Sequence, residues 1–192
     1  MVKKRLPKYL HHEQVIQIFS KIPVPEDQYR LAFELMYECC MRVSEVTSLK
    51  VRDVNLQESV ISIQNAKGGD RTVPMSPYIA SRLEKHIQGK PMNAFVFTKK
   101  SGKPFTRQHL DFKLKLYTAW AGLTDSLGFT MSCHKLRHSG AREYIRRGIL
   151  DIEDVRKILG HRHLSTTTIY LETLPIETKN KILRSGGLCK NA

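Results

Sequence analysis

A change of hydrophobic period constrains the architecture. Over the first fifty residues the apolar positions recur at helical spacing. Between Val60 and Met75 they fall into short β-type runs, and beyond residue 105 the helical spacing returns. The first helical stretch covers about 12–20, with Val15, Ile16, Ile18 and Phe19 apolar, and Pro23 and Pro25 break it. The next runs from about Glu26 to Cys40, with Leu31, Phe33, Leu35 and Met36 as core candidates. Ser44 is a candidate N-cap for a short helix carrying Val46 and Leu49. Val60, Ile61 and Ile63 then read as a strand, as do Thr72, Val73 and Met75. Ala66-Lys67-Gly68-Gly69-Asp70 is the hairpin turn between them. Phe95-Val96-Phe97 reads as a third strand, closed by a turn at Ser101-Gly102-Lys103-Pro104. Helices follow at about 106–121, 133–147 and 151–159, with Gly148 and Gly160 at the C-terminal stops. Ser165 can cap a further helix through Tyr170. The expected fold class is mixed α+β, mostly α-helical, with a small three-stranded antiparallel sheet. No repeat and no Gly/Ser/Pro-rich linker divides the chain, and its 192 residues suit one core.

Charge narrows the partner. Lys and Arg number 32 against 18 Asp and Glu, a net charge of +14. Such a surplus costs self-repulsion unless a polyanion offsets it, and nucleic acid and anionic membrane are the two candidates. No apolar run approaches the roughly 20 residues that span a bilayer. No amino-terminal stretch resembles a secretion signal. Cys39, Cys40, Cys133 and Cys189 form no C-x-x-C pair and read as reduced thiols, which points to a cytoplasmic protein.

Four features can carry chemistry. His134 and Arg137 stand at i and i+3 and share a helix face, which Leu136, Ala141, Tyr144 and Ile145 anchor from the apolar side. Arg there matches phosphate oxygens bidentately, although an isolated H-x-x-R is usually an ordinary charged surface. Lys67 at the tip of a glycine-bearing hairpin can reach into a DNA groove, or be a solvated turn residue. Arg42 lies between an apolar run and a helix start and needs a partner, for which Glu45 is at hand. His161 follows a helix end, and Tyr170 stands within the next helix, where a tyrosine is usually core.

In order, Arg42, Lys67, His134, Arg137, His161 and Tyr170 match the R…K…H-x-x-R…H…Y set of the tyrosine recombinases, the phage-type integrases. Met41-Arg42-Val43-Ser44-Glu45-Val46 resembles the family's first-arginine box, and Ala66-Lys67-Gly68-Gly69-Asp70-Arg71-Thr72-Val73-Pro74-Met75 its lysine hairpin. His134-Lys135-Leu136-Arg137-His138-Ser139 resembles its H-x-L-R-H box. Leu159-Gly160-His161, through Thr166-Thr167 to Tyr170, resembles its final box. The resemblance runs from about Leu6 to Leu174. One departure is Cys40, where the family often has glycine two places before the first arginine.

The resemblance implies the family's catalytic-domain fold over residues 1–174 and a DNA strand transferase, a site-specific recombinase of integrase or invertase type. Tyr170 would attack the phosphate and form a 3′-phosphotyrosyl link, with Arg42 and Arg137 on the non-bridging oxygens. Lys67 would protonate the departing 5′ oxygen, His134 would assist proton transfer, and His161 would hydrogen-bond the phosphate. No cofactor and no metal are called for. A zinc site from Cys133, His134, His161 and His163 would have a spacing unlike any known finger. Lys99, Lys100, Lys103 and Arg107 form a basic stretch expected on the DNA backbone, or a merely soluble loop. The implied partner is double-stranded DNA, engaged as a homo-tetramer on two sites at the nucleoid. Accessory DNA-bending proteins are left unassigned. The apolar tail over 175–192, with Ile176, Ile182, Leu183 and Leu188, should bury in its own domain or a neighbour's. The resemblance implies exchange with a neighbour on DNA. The family usually carries an amino-terminal core-DNA-binding domain, and this chain begins where the catalytic domain does. It is therefore either an excised fragment or a single-domain member, like the fimbrial phase-switch recombinases. Alternatives are a type IB topoisomerase, which relaxes one duplex, a non-catalytic DNA-binding regulator, and a peripheral membrane protein.

Overall fold

The computed structural model describes residues 9–64, 69–160 and 176–189. Its elements, in chain order, are α1 His12–Ser20, α2 Asp27–Tyr37, α3 Val43–Ser48, β1 Val54–Asn55, β2 Val60–Ile63, β3 Arg71–Pro74, α4 Pro77–Ile87, α5 Arg107–Trp120, α6 Cys133–Arg146, α7 Ile152–Leu159 and α8 Ile176–Ser185. The class is the one expected, helices around one three-stranded antiparallel sheet. Among the described residues no helix is long and apolar enough to cross a membrane.

The core forms around α2. Every residue from Leu31 to Tyr37 is buried, so this part of the helix has no solvent face and must be covered on all sides. α6 covers one side at backbone contact. A Cβ built on Gly140 of α6 would lie 1.6 Å from the Tyr37 carbonyl oxygen. Only glycine permits that approach, and it draws the helix that carries His134 and Arg137 against the core. Beyond α2 the chain turns through Cys40, whose φ of 50° is in the left-handed region that favours glycine. The family's usual glycine at this position has its physical reason there.

Three expectations need correction. The third strand is not Phe95–Phe97. That segment makes only an isolated bridge from Phe95 to Lys50, with Val96 N–H donating to Leu49 O at 2.8 Å. The sheet order is β1-β2-β3, and the outer place beside β2 belongs to Val54–Asn55, joined to it by the four residues 56–59. Closing so short a loop costs less entropy than bringing in a segment thirty residues away. Ser44 is not the cap of α3. The helix begins at Val43, and Glu45 reaches back to accept the Arg42 N–H on Oε2 at 2.6 Å, which draws the start two residues earlier. The second helix stops at Tyr37 rather than Cys40.

Helix α4 is unanticipated. Ser76 caps it, accepting from Ile79 N, and Pro77 opens it. The carboxy-terminal segment packs within this chain: Ile182, Leu188 and Cys189 are buried. The buried Glu38 side chain accepts the backbone N–H of Leu188 at 3.0 Å and of Cys189 at 2.9 Å, and Ser76 Oγ donates to its other oxygen. All four cysteines are buried free thiols.

Candidate active site

The site grows from two helix ends. α7 ends at Gly160, whose φ of 59° takes the left-handed turn that stops a helix. The last carbonyls of a helix have no partner within it and carry partial negative charge. Two arginines meet them. Arg42, just ahead of α3, donates through Nη2 to Leu159 O at 3.0 Å and Gly160 O at 3.2 Å. Arg137, in the middle of α6, donates through Nη2 to Leu159 O at 2.7 Å. Residues 95 positions apart in sequence thus share one acceptor, immediately before His161 in the chain.

One carboxylate serves the cluster. Glu45 Oε1 accepts from Arg42 Nη1 at 2.9 Å. The guanidinium of Arg71, at the start of β3, grips the same carboxylate at both oxygens, 2.8 Å each. Arg137 Nη1 lies 3.8 Å from Glu45 Oε2, an ion pair too long for a hydrogen bond. That nitrogen is buried and has no hydrogen-bond partner among the described residues. Burial would raise the Glu45 carboxyl, but the Arg71 hydrogen bonds and charge, with those of Arg42, hold it below its ordinary value. Burial, and then the Arg42 charge, drag Arg137 down to about 10. A donor that is buried, cationic and unbonded suits an anion.

His134 stands one turn before Arg137 on α6. Asp111 of α5 fixes the start of that helix by accepting Cys133 N–H at 2.8 Å. The His134 and His138 rings meet edge to face, their Nε2 atoms 2.8 Å apart, so one ring donates and the other accepts. Burial, and then the charges of Arg137, Arg107 and Arg42, lower the His134 pKa. The ring is therefore neutral near pH 7 and can take a proton.

The structure brings together Arg42, His134 and Arg137 of the expected set. Arg107, at the first position of α5 and largely exposed, is close enough to act on His134. Lys99, Lys100 and Lys103 belong to a tight turn, with Lys99 N–H donating to Lys103 O at 2.8 Å. Lys100 and Lys103 are exposed and Lys99 half-buried. Lys67, His161 and Tyr170 lie outside the described residues, as does the helix expected from Ser165 to Tyr170. Glu45 is the partner expected for Arg42, but it is shared. Arg71 was not anticipated as part of the site, and its only sequence signal is its place in the lysine hairpin box. Among the described residues no group of three or more His, Cys, Asp or Glu could hold a metal ion.

Comparison with known proteins identifies the family. The sequence model of the phage integrase family matches residues 8–175. The tyrosine recombinase XerA of Pyrococcus furiosus is 31% identical over 191 residues, 96% of this chain and 64% of the relative's length. A crystal structure of XerA recombinase superposes with a TM-score of 0.70 at 25% identity, over 82% of this chain and 57% of that one. XerH recombinase bound to its difH substrate superposes with a TM-score of 0.65 at 24% identity, over 82% of this chain and 48% of that one. The chain spans about three-fifths of the length of such curated relatives. It belongs to the phage integrase family, that of the tyrosine recombinases.

Proposed function

We propose that this chain is the catalytic part of a site-specific DNA recombinase that cuts and rejoins double-stranded DNA through a 3′-phosphotyrosyl intermediate. The observation that carries this reading is the convergence of Arg42 and Arg137 beside His134, with the Arg137 Nη1 donor buried and unbonded among the described residues. A phosphodiester gains negative charge as it is attacked, and preorganised cationic donors stabilise that charge. Tyr170 Oη forms the new bond to phosphorus. The bond from phosphorus to the 5′ oxygen breaks, and Lys67 supplies the proton to that oxygen. Arg42 and Arg137 hold the non-bridging oxygens, His161 adds a hydrogen bond, and neutral His134 helps move the phenol proton. Lys99, Lys100, Lys103 and Arg107 lie along the DNA backbone, and a homo-tetramer on two duplexes carries out the exchange.

The test is a pool of nicked duplexes with a randomised core. Wild type should leave a covalent protein–DNA adduct that survives a denaturing gel, and Tyr170→Phe should bind DNA but leave none. An adduct from Tyr170→Phe would move the nucleophile elsewhere, and no adduct from wild type would leave only a DNA-binding role.

A further inference from the structure

Arg71 joins three parts of the site that the sequence keeps far apart. It opens β3, four residues after Lys67, and pairs across the sheet with Ile63. Its two terminal nitrogens take both oxygens of Glu45 on α3. Its Nε donates to Ile158 O at 3.2 Å, near the end of α7, and its Cδ would lie 3.3 Å from a Cβ on Gly160. Among the described hydrogen bonds, those of Arg71 tie the lysine-hairpin strand to both the Glu45 carboxylate and the end of α7.

The carboxylate is where this matters. Glu45 has two oxygens, and four donors already reach them: Arg42 N and Nη1, and Arg71 Nη1 and Nη2. The two-pronged bond to Arg71 fixes the plane of the carboxylate and occupies it. Arg137 Nη1, 3.8 Å away, is thereby kept from closing onto Glu45. Without Arg71 the carboxylate could turn, close that gap and neutralise a donor the phosphate needs. We infer that Arg71 is a positioning residue for strand cleavage, which saturates Glu45 so that Arg137 remains available to the phosphate. This rests on the recombinase reading above. Arg71 itself touches no reacting atom.

The experiment uses the full chain and the duplexes that wild type captures from the randomised pool. Arg71→Ala should slow single-turnover adduct formation about 100-fold, the scale of losing one preorganised donor. DNA affinity should stay within threefold, since many other phosphate contacts supply it. Free guanidinium ion should restore part of the rate saturably, while sodium chloride of equal ionic strength should not. Arg71→Lys, which keeps the charge but not the fork, should fall between. A separate arm titrates inorganic phosphate by calorimetry, where Arg71→Ala should bind about tenfold more weakly than wild type. An Arg71→Ala rate within threefold of wild type overturns the inference. So does a loss that appears only as a smaller folded fraction with an unchanged rate constant, or a defect that guanidinium leaves untouched. If wild type forms no adduct, the recombinase reading fails, and the phosphate arm still decides whether Arg71 holds the anion site.

Discussion

Gly140 of α6 lies so close to the Tyr37 carbonyl oxygen that a methyl group there would stand 1.6 Å from it. The obstacle is backbone, so no side-chain rotation can relieve it. Gly140→Ala should therefore push α6 off α2 and cost about 3 kcal/mol of stability, the upper range for overpacking. Urea denaturation measures this. A loss under 1 kcal/mol would mean that the helix contact is loose and that Arg137 is positioned by something else.

Cys40 makes the opposite prediction about glycine. At φ 50° any side chain is strained, by about 1 kcal/mol. Alanine keeps that strain and loses the thiol's packing, whereas glycine loses the packing and sheds the strain. Cys40→Gly should melt at a higher temperature than Cys40→Ala. The reverse order would show that the buried Cβ outweighs the backbone term.

His134 should titrate below the ordinary imidazole value of 6.5. Burial is the largest cause, and Arg137, Arg107 and Arg42 add to it. Arg107 is exposed and packs little, so Arg107→Ala removes a charge without opening the core. The His134 midpoint, followed by NMR of the ring protons, should rise in that variant. An unchanged midpoint would place Arg107 electrostatically outside the site.

Glu38 links the carboxy-terminal segment to pH. Burial pushes its carboxyl up, and the Ser76 hydroxyl and the Cys189 and Leu188 amides offset this only in part. The folded chain thus holds this proton more tightly than the unfolded one. The stabilisation is complete below the ordinary value of 4.5 and is lost as pH rises through the raised one. Glu38→Gln keeps an acceptor for the two amides and has no proton to lose. Its stability relative to wild type should improve from pH 4.5 to pH 8 in chemical denaturation. Parallel pH curves for the two proteins would refute the assignment.

Much of the architecture was legible in the sequence, because the helices carry their own stop signals. Gly148 and Gly160 end α6 and α7 where expected, with φ of 64° and 59°. Phe95–Phe97 misled because strand composition says nothing about partners: Val96 and Phe97 are buried, but their backbone bonds go to Leu49 and Phe105 rather than to a strand of the sheet. α4 was missed despite Ser76-Pro77 and the apolar spacing of Ile79, Leu83 and Ile87, signals that were present. Arg42, His134 and Arg137 were legible through motif order. Arg71 was not, since its importance comes from a carboxylate 26 residues away that the sequence pairs more naturally with Arg42.

The charges around Glu45 do not sum to zero. Among the described residues three guanidiniums face one carboxylate, which leaves a surplus of two positive charges. A resting phosphodiester brings one negative charge, whereas a phosphodiester under attack by a phenolate carries two. In the proposed reaction the surplus around Glu45 therefore meets more negative charge at the summit of the displacement than at rest. Before that, Arg42 and Arg137 repel one another, which adds to burial in lowering Arg137. The surplus attracts the resting diester too, but the attraction grows as the second negative charge develops, so the five-coordinate state gains more than the bound substrate. A helix end and a hairpin arginine thus set a charge stoichiometry that favours the crossing over the rest.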